Sequence, residues 1–466
     1  MKKINKLIII FTIFVICSCS LDVKQDNLFT DPYAIADEDS ARDFMSSLYD
    51  NYPQTQYSLS VLSDDFMPTI NINKDGNERN FYGWIAKDLL LFSDGLWLDY
   101  YNCVALSNVL IERIDKLVTN ENLALKSIKG EALLLKSMCY FDLLRLFAPT
   151  PDVTKDQDGI IFRDNLDITF PARESIQTSV HKIDSMLLLA ESMMLDYSPK
   201  QQYWLSKDVL YYKIAELAQY QGNYQKVKTY TSDLLVKYPL ALLNLENYEN
   251  LWDDKSSSKE RIFGFANNDI FYSEMQYNDT TSVYSINTNI KCEENDYRNL
   301  LLTQDNTFKD YNGNITKLKV IGKYHLMNIE GVSINFINSI TVERLVLMHL
   351  EALIHTDDVS AFSFFNDYLR RRGLNQITVN LNKNQLLEKL MKIRQLAFVG
   401  EGDRYFDLKR IRPSEFFRYD YKHNVASKIL SEDYRWTFAI PASEYRHNPN
   451  ATQNDGWPRV TEDSYL

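Results

Sequence analysis

The sequence predicts an all-α protein: helical hairpins stacked as a scaffold, with large irregular inserts and short β-hairpins. Three observations predict it. Leu96 to Val118 repeats apolar residues at three- and four-residue spacing, the period of one helix face. Gly130 to Phe147 is apolar nearly all round, which marks a helix buried on several sides. Val209 to Pro239 reads as helix, Gly-Asn-Tyr turn, helix and proline stop, which fits the 34-residue tetratricopeptide unit. One such unit cannot bury its own apolar face, whereas several stacked can.

Taken in order, the chain opens with Met1 to Lys6, which carries three lysines, and the apolar run Leu7 to Ile16. That pattern is a secretory signal and is too short to span a membrane. Small residues precede Cys19, so cleavage is expected after residue 18 and acylation at Cys19. The mature chain, 19–466, then reads as one domain on a lipid anchor, with the polar and acidic stretch Ser20 to Asp31 as a leash. Asp64 to Trp84 is polar and reads as an insert without a core-building role. Ala148-Pro-Thr-Pro151 ends the apolar helix because proline cannot continue the ladder. Ser175 to Leu195 is a further amphipathic helix. Ser339 to Gly373 reads as a weaker second tetratricopeptide copy, with Thr356-Asp-Asp as its turn and Ala361 at the close-packing position. The repeat-like helices are thus expected mainly over 96–240 and 339–412, and a loop-rich insert over about 255–338. Within that insert Arg261 to Phe265 and Leu318 to Ile321 have β character, but no core-building role is expected of it.

A formal net charge of −12 argues against nucleic-acid binding. Cys103 and Cys139 sit in apolar helical runs as small hydrophobes, and no disulfide or zinc spacing is present. The sequence carries no H-E-x-x-H, G-x-S-x-G, P-loop or G-x-G-x-x-G motif. No enzymatic activity and no cofactor are therefore expected. Asn71, Asn73 and Asp75 mimic the start of a calcium loop, but Tyr82 stands where a bidentate Glu is needed, so at most a surface Ca²⁺ is implied. Glu131, Arg145, Glu401, Arg404, Asp407 and Arg410 lie in core-rich helices, with Arg404 and Asp407 sharing a helical face. Buried charges must be paired, so a cross-helix network is expected. Glu444 is expected to clamp the tail in the same way. Capture of a sugar needs flat rings flanked by amides or charges. Asn80, Tyr82 and Trp84, with Tyr272, Tyr277, Tyr297 and Tyr311, are the candidates.

The tail, 438–457, carries Ile440, Pro441, Glu444, Asn448, Pro449, Gln453, Asn454, Gly456 and Trp457. Its prolines, asparagines and glycine exclude regular structure and demand side-chain hydrogen bonds. It resembles the closing signature of the SusD/RagB family of surface lipoproteins. Gly130 to Phe147, Leu98 to Asp115 with Asn108, and Ile393 to Arg410 resemble that family's other motifs in order and spacing. Lys136-Ser137 and Gln395 depart from its usual Arg-Ala and Glu. The resemblance implies a lipid-anchored, surface-exposed outer-membrane protein with tetratricopeptide-like helices. It implies binding of an oligosaccharide or peptide, and a SusC-like TonB-dependent β-barrel as partner. A surface glycoside hydrolase or an assembly scaffold are the alternatives. Two carboxylates about 5–10 Å apart in a cleft would favour the first, and an open concave groove the second.

Overall fold

The helical runs read from the sequence are helices in the computed structural model, which describes residues 35–117, 122–151, 157–195, 202–252, 258–267, 284–323 and 335–459. The signal run, Cys19 and the leash lie outside the described residues. Helix α1 (Glu38–Asp50) opens with a capping box between Asp37 and Ser40. Short helices α2 (Gln56–Leu62), α3 (Ile70–Lys74) and α4 (Gly76–Tyr82) follow. The long pair α5 (Ala86–Leu117) and α6 (Leu123–Phe147) forms the first large hairpin, and α7 (Ile176–Met193) lies on α6. Gly130 permits that contact, since a Cβ there would sit 2.7 Å from Met194 Cγ.

The tetratricopeptide-like unit is α8 (Lys207–Tyr220) and α9 (Tyr224–Lys237). Gly222 turns the chain at φ +72° and the Asn223 side chain caps α9 at Lys226 N. After α10 (Leu245–Trp252) and α11 (Asn299–Leu302), the second copy is α12 (Val342–His355) with α13 (Ala361–Arg371). Helices α14 (Lys383–Phe398) and α15 (Asp403–Ile411) close the stack, and α9 packs on α12 to join its halves.

Among the described residues, four antiparallel strand pairs decorate the helices. They are β1 (Phe66–Met67) with β3 (Ser285–Ile286), β2 (Arg261–Asn267) with β6 (Asn335–Thr341), β4 (Thr303–Lys309) with β5 (Ile315–Ile321), and β7 (Glu415–Tyr419) with β8 (Val425–Leu430).

Three expectations need correction. Residues 64–84 are not a polar insert: Asp65, Phe66, Met67, Ile72, Tyr82 and Trp84 are buried. The 255–338 insert builds core as well as loops. Phe263, Tyr284 and Ile321 join the main apolar cluster. Arg298 ties Asp296 (2.7 Å) to Glu343 (3.0 Å), and Arg372 ties Glu260 (3.1 Å) to Glu343 (2.7 Å). These bonds fasten the insert to α12 by paired, hydrogen-bonded charges, the form in which buried ions are tolerated. The tail is not wholly irregular either, because α16 (Ala442–His447) forms between its two prolines. Pro441 caps that helix and so leaves no internal donor missing.

The rest of the tail is held by amides, as expected. Gln453 bonds both backbone groups of Ile440 at 2.8 Å. Asn454 donates to Phe147 O and Phe438 O, and Trp457 Nε1 donates to Thr437 O.

The charge network exists with partners the sequence did not name. Glu131 accepts from Arg42 and Tyr49, and Arg145 bridges Asp142 and Glu216. Glu401 binds Lys323 and Arg344. Arg404 reaches Asp64 at 2.7 Å, while Asp407 takes Arg394 and Arg410. Arg410 also holds Glu351. Burial alone would raise the Glu216 carboxyl, but Lys213 and Arg145 overcome it and hold it at about 2. Glu444 accepts from Arg163 (2.9 Å) and from Asn448 within the tail (2.9 Å). Lys136 pairs with the Asn108 amide at 2.6 Å instead of a carboxylate, and burial brings it down to about 8.

Candidate ligand-binding groove

Two hairpin tips flank the α3–α4 segment, and both use one five-residue turn. Asp310-Tyr-Asn-Gly-Asn314 joins β4 to β5, and Asp420-Tyr-Lys-His-Asn424 joins β7 to β8. In each, the leading Asp accepts two backbone N–H bonds from within the turn and one from the closing Asn side chain. This is the Asx-turn logic that makes Asp and Asn frequent in tight connections. The first tip leans on α3, where the Asn71 side chain accepts from Tyr311 N at 2.7 Å and Lys74 lies over the Tyr311 ring.

The second tip is anchored by Arg418. Its side chain is 1% exposed and donates to the carbonyls of Tyr82, Val61 and Ser63. The guanidinium lies 3.7 Å from the Tyr82 ring centroid, a cation–π contact. No described carboxylate forms an ion pair with it, and burial weakens its basicity.

Between this hairpin and α3–α4 lies a groove of about 210 Å³. Tyr82 and Arg418 form its floor, Asn73, Arg79 and Asn80 one wall, and Tyr419, Asp420 and Ser427 the other. The wall side chains are largely uncommitted. Arg79 donates to Asn73 O at 3.2 Å, and the Ser427 hydroxyl is buried with no partner. Tyr419 is half-buried at the groove edge, with its ring turned to no other described aromatic. An unsatisfied buried hydroxyl costs free energy unless a ligand or water meets it. Asp420 is the exception, since its oxygens are taken by its own turn.

The structure sorts the sequence candidates. Asn80 is half-buried and lines the groove. Tyr82 and Trp84, expected to present open faces, are 3% and 1% exposed. Trp84 sits at φ +58°, donates from Nε1 to Leu62 O and packs on Trp436, Phe416 and Tyr405. Residues 76–82 are helical, and that periodicity turns Tyr82 inward. Tyr297 is not in the groove: it accepts from Arg372 and packs on Tyr248. Tyr311 is exposed beside α3. Tyr272 and Tyr277 lie outside the described residues.

Asn71, Asn73 and Asp75 do not make a calcium loop. Asn71 is spent on Lys309 O and Tyr311 N, and Asp75 caps α4 at Asn77 N and Glu78 N. Among the described residues no group of three His, Cys, Asp or Glu is placed to hold a metal. Sequence reasoning missed Arg79, Arg418, Tyr419 and Ser427. The repeated Asp-Tyr-x-x-Asn at 310–314 and 420–424 was the available signal for the two hairpins.

Other clefts are less suited to capture. Two of about 100 and 90 Å³ share Arg145, Tyr212, Glu216, Arg344, Asp403 and Phe406. Most of their charges are consumed in ion pairs. A wider furrow of about 730 Å³ runs beside the tail, but Gln453 and Asn454 there hold backbone and Asp433 holds Arg435.

A family model described as starch-binding and associating with the outer membrane matches residues 20–217, and the model of the SusD family matches residues 345–457. A SusD superfamily protein from Bacteroides thetaiotaomicron superposes with a TM-score of 0.75 at 20% identity, covering 90% of this chain and 99% of that one. A SusD-like carbohydrate binding protein from Bacteroides vulgatus gives 0.72 at 17%, covering 89% and 97%. A SusD superfamily protein from Bacteroides fragilis gives 0.70 at 16%, covering 90% and 100%. At these identities the likeness is one of fold. No curated protein matches the sequence.

Proposed function

The chain belongs to the SusD/RagB family, and from that premise we propose that it is a surface lipoprotein that captures a nutrient glycan and passes it, unaltered, to a SusC-like TonB-dependent barrel. The observation that carries the reading is the groove beside β7–β8. Apart from Asp420 and one Arg79 bond, its wall side chains have no hydrogen-bond partner among the described residues, in a molecule whose other polar groups are mostly paired. Tyr419 offers a ring edge or face to sugar C–H groups, and Asn73, Asn80 and Ser427 offer hydrogen bonds to hydroxyls. The space equals about seven water volumes at ~30 Å³ each, enough for one sugar ring with its hydroxyls.

In this reading acylated Cys19 keeps the protein at the outer membrane. The helical repeats dock on the barrel, and the irregular flank meets the ligand and moves with it as a lid. Binding without bond breaking agrees with the chemistry of the groove. Glycoside hydrolysis uses two carboxylates, and Asp420, the one carboxylate among the described lining residues, is tied into its turn.

The test is a panel of oligosaccharides and peptides offered to soluble protein that starts after Cys19. A glycan is expected to bind, and Tyr419→Ala and Asn80→Ala are each expected to weaken it roughly tenfold, about 1.4 kcal/mol. A bound glycan indifferent to both substitutions would remove the groove from the site. Binding of peptides alone would move the chain to a peptide-import role.

A further inference from the structure

We propose that the groove takes an anionic sugar residue, one bearing a carboxylate or sulfate; this rests on the glycan-capture reading above. Two arginines, Arg79 and Arg418, line the groove, with a single carboxylate among its described lining residues. That carboxylate is Asp420, which accepts from Lys422 N, Asn424 N and the Asn424 amide and so is turned toward its own loop. Nearby Asp75 caps α4, and Glu78 accepts from Tyr284. The groups left for a ligand can all donate: Arg79 with most of its N–H bonds unused, and the Asn73 and Asn80 amides and unpartnered Ser427 hydroxyl, which can also accept.

Arg418 is the decisive group. Several buried arginines of the described core meet carboxylates: Arg298 meets Asp296 and Glu343, Arg372 meets Glu260 and Glu343, and Arg344 meets Glu401 and Asp403. Arg418 donates to carbonyls and lies against the Tyr82 ring, and no described carboxylate forms an ion pair with it. A buried guanidinium bonded to carbonyls, with Asp64 acting on it only at a distance, keeps a poorly screened positive field in a low-dielectric wall. An anion entering the groove would meet that field at the floor and give Arg79 a bidentate partner at the rim, the geometry in which a guanidinium discriminates best.

The experiment compares charged sugars with neutral twins on the soluble protein that starts after Cys19. One pair is an oligogalacturonide and its methyl ester, and the other is a sulfated galactan oligosaccharide and its desulfated form. At low salt the charged member of at least one pair is expected to bind about tenfold or more tightly. The advantage should shrink at high salt, vanish in Arg79→Gln and survive in part in Arg79→Lys. The pair that responds identifies carboxylate or sulfate as the ligand group. If twins bind equally and Tyr419→Ala abolishes both, the groove takes neutral sugar and the anion inference falls while the capture function stands. If a charged sugar binds but ignores Arg79→Gln and Tyr419→Ala, it sits elsewhere and the inference falls. If no sugar of either kind binds, the capture reading falls with it.

Discussion

The β4–β5 and β7–β8 hairpins carry the same turn and do different work. Residues 310–314 and 420–424 share their leading Asp, Tyr and closing Asn, and their turn hydrogen bonds agree within a few tenths of an ångström. What differs is two residues upstream of the Asp. Phe308 packs on Val320 and Leu318 in a small satellite cluster. Arg418 plunges into the main body and binds three carbonyls under α4. The first hairpin is therefore a brace that leans on Asn71, and the second is one wall of a groove. Local chemistry sets a turn, but the residue that plugs the hairpin into the body decides what its surface can be used for.

The largest expected effect breaks this contrast at its root. Arg418→Ala leaves three buried carbonyls without a donor and is expected to destabilise the protein by roughly 3–5 kcal/mol. Phe308→Ala, in a cluster of three side chains, is expected to cost about 3 kcal/mol, the low end for a buried Phe. Urea unfolding of both variants measures the difference. Equal losses would mean that the two anchors are equivalent and that Arg418 has no special seat.

The seats beneath the hairpins also differ in charge. Asn71 under the first is neutral. Asp65, two residues beyond the Ser63 carbonyl that takes Arg418, is fully buried with Oδ1 unpartnered and Oδ2 accepting from Gly400 N at 3.0 Å. Burial first, then repulsion from Asp64, pushes its carboxyl up to about 8. An unfolded Asp releases its proton near pH 3.9, so between there and about pH 8 the folded state binds more protons. Stability from this group is full below about pH 4 and is lost as pH rises through about 8, with a slope of at most ~1.4 kcal/mol per pH unit. Asp65→Asn should flatten that part of the pH–stability curve. A curve unchanged by the substitution would show that Asp65 is ionised in the folded protein at neutral pH.

The two hairpins also mark how far the sequence could be read. The helical body was legible because periodicity is a local record of burial: Gly222-Asn-Tyr between two apolar stripes could hardly be anything but a helical turn. The tail was legible in its amides, since Gln453 and Asn454 have no reason to cluster with prolines unless they replace backbone partners. Ion-pair partners were not legible, because Arg404 and Asp64 are 340 residues apart and nothing local links them. The aromatics near Trp84 misled for a related reason. A ring that stacks on sugar and a ring that fills a core have the same composition, and φ +58° at Trp84, which turns it inward, leaves no trace in residue type. Of the groove, Asn80 was found by composition, whereas Tyr419 and Arg79 carried no pattern that set them apart.

The smallest effect sharpens the comparison inside the turn itself. Its fourth residue is left-handed in both hairpins, Gly313 at φ +85° and His423 at φ +64°. Glycine adopts that region freely, whereas an L side chain there crowds the following carbonyl. His423→Gly is therefore expected to stabilise the protein by about 0.5–1 kcal/mol, and Gly313→Ala to destabilise it by about 1 kcal/mol. A Cβ at Gly313 would meet nothing closer than Lys309 Cε at 3.6 Å, so the cost there is conformational and not a clash. Opposite signs in the two hairpins, read by chemical denaturation, would establish that the turns are energetically the same device. If His423→Gly instead destabilised the protein, the imidazole would have to hold the β7–β8 tip in place, and the wall of the groove would depend on a side chain that does not line it.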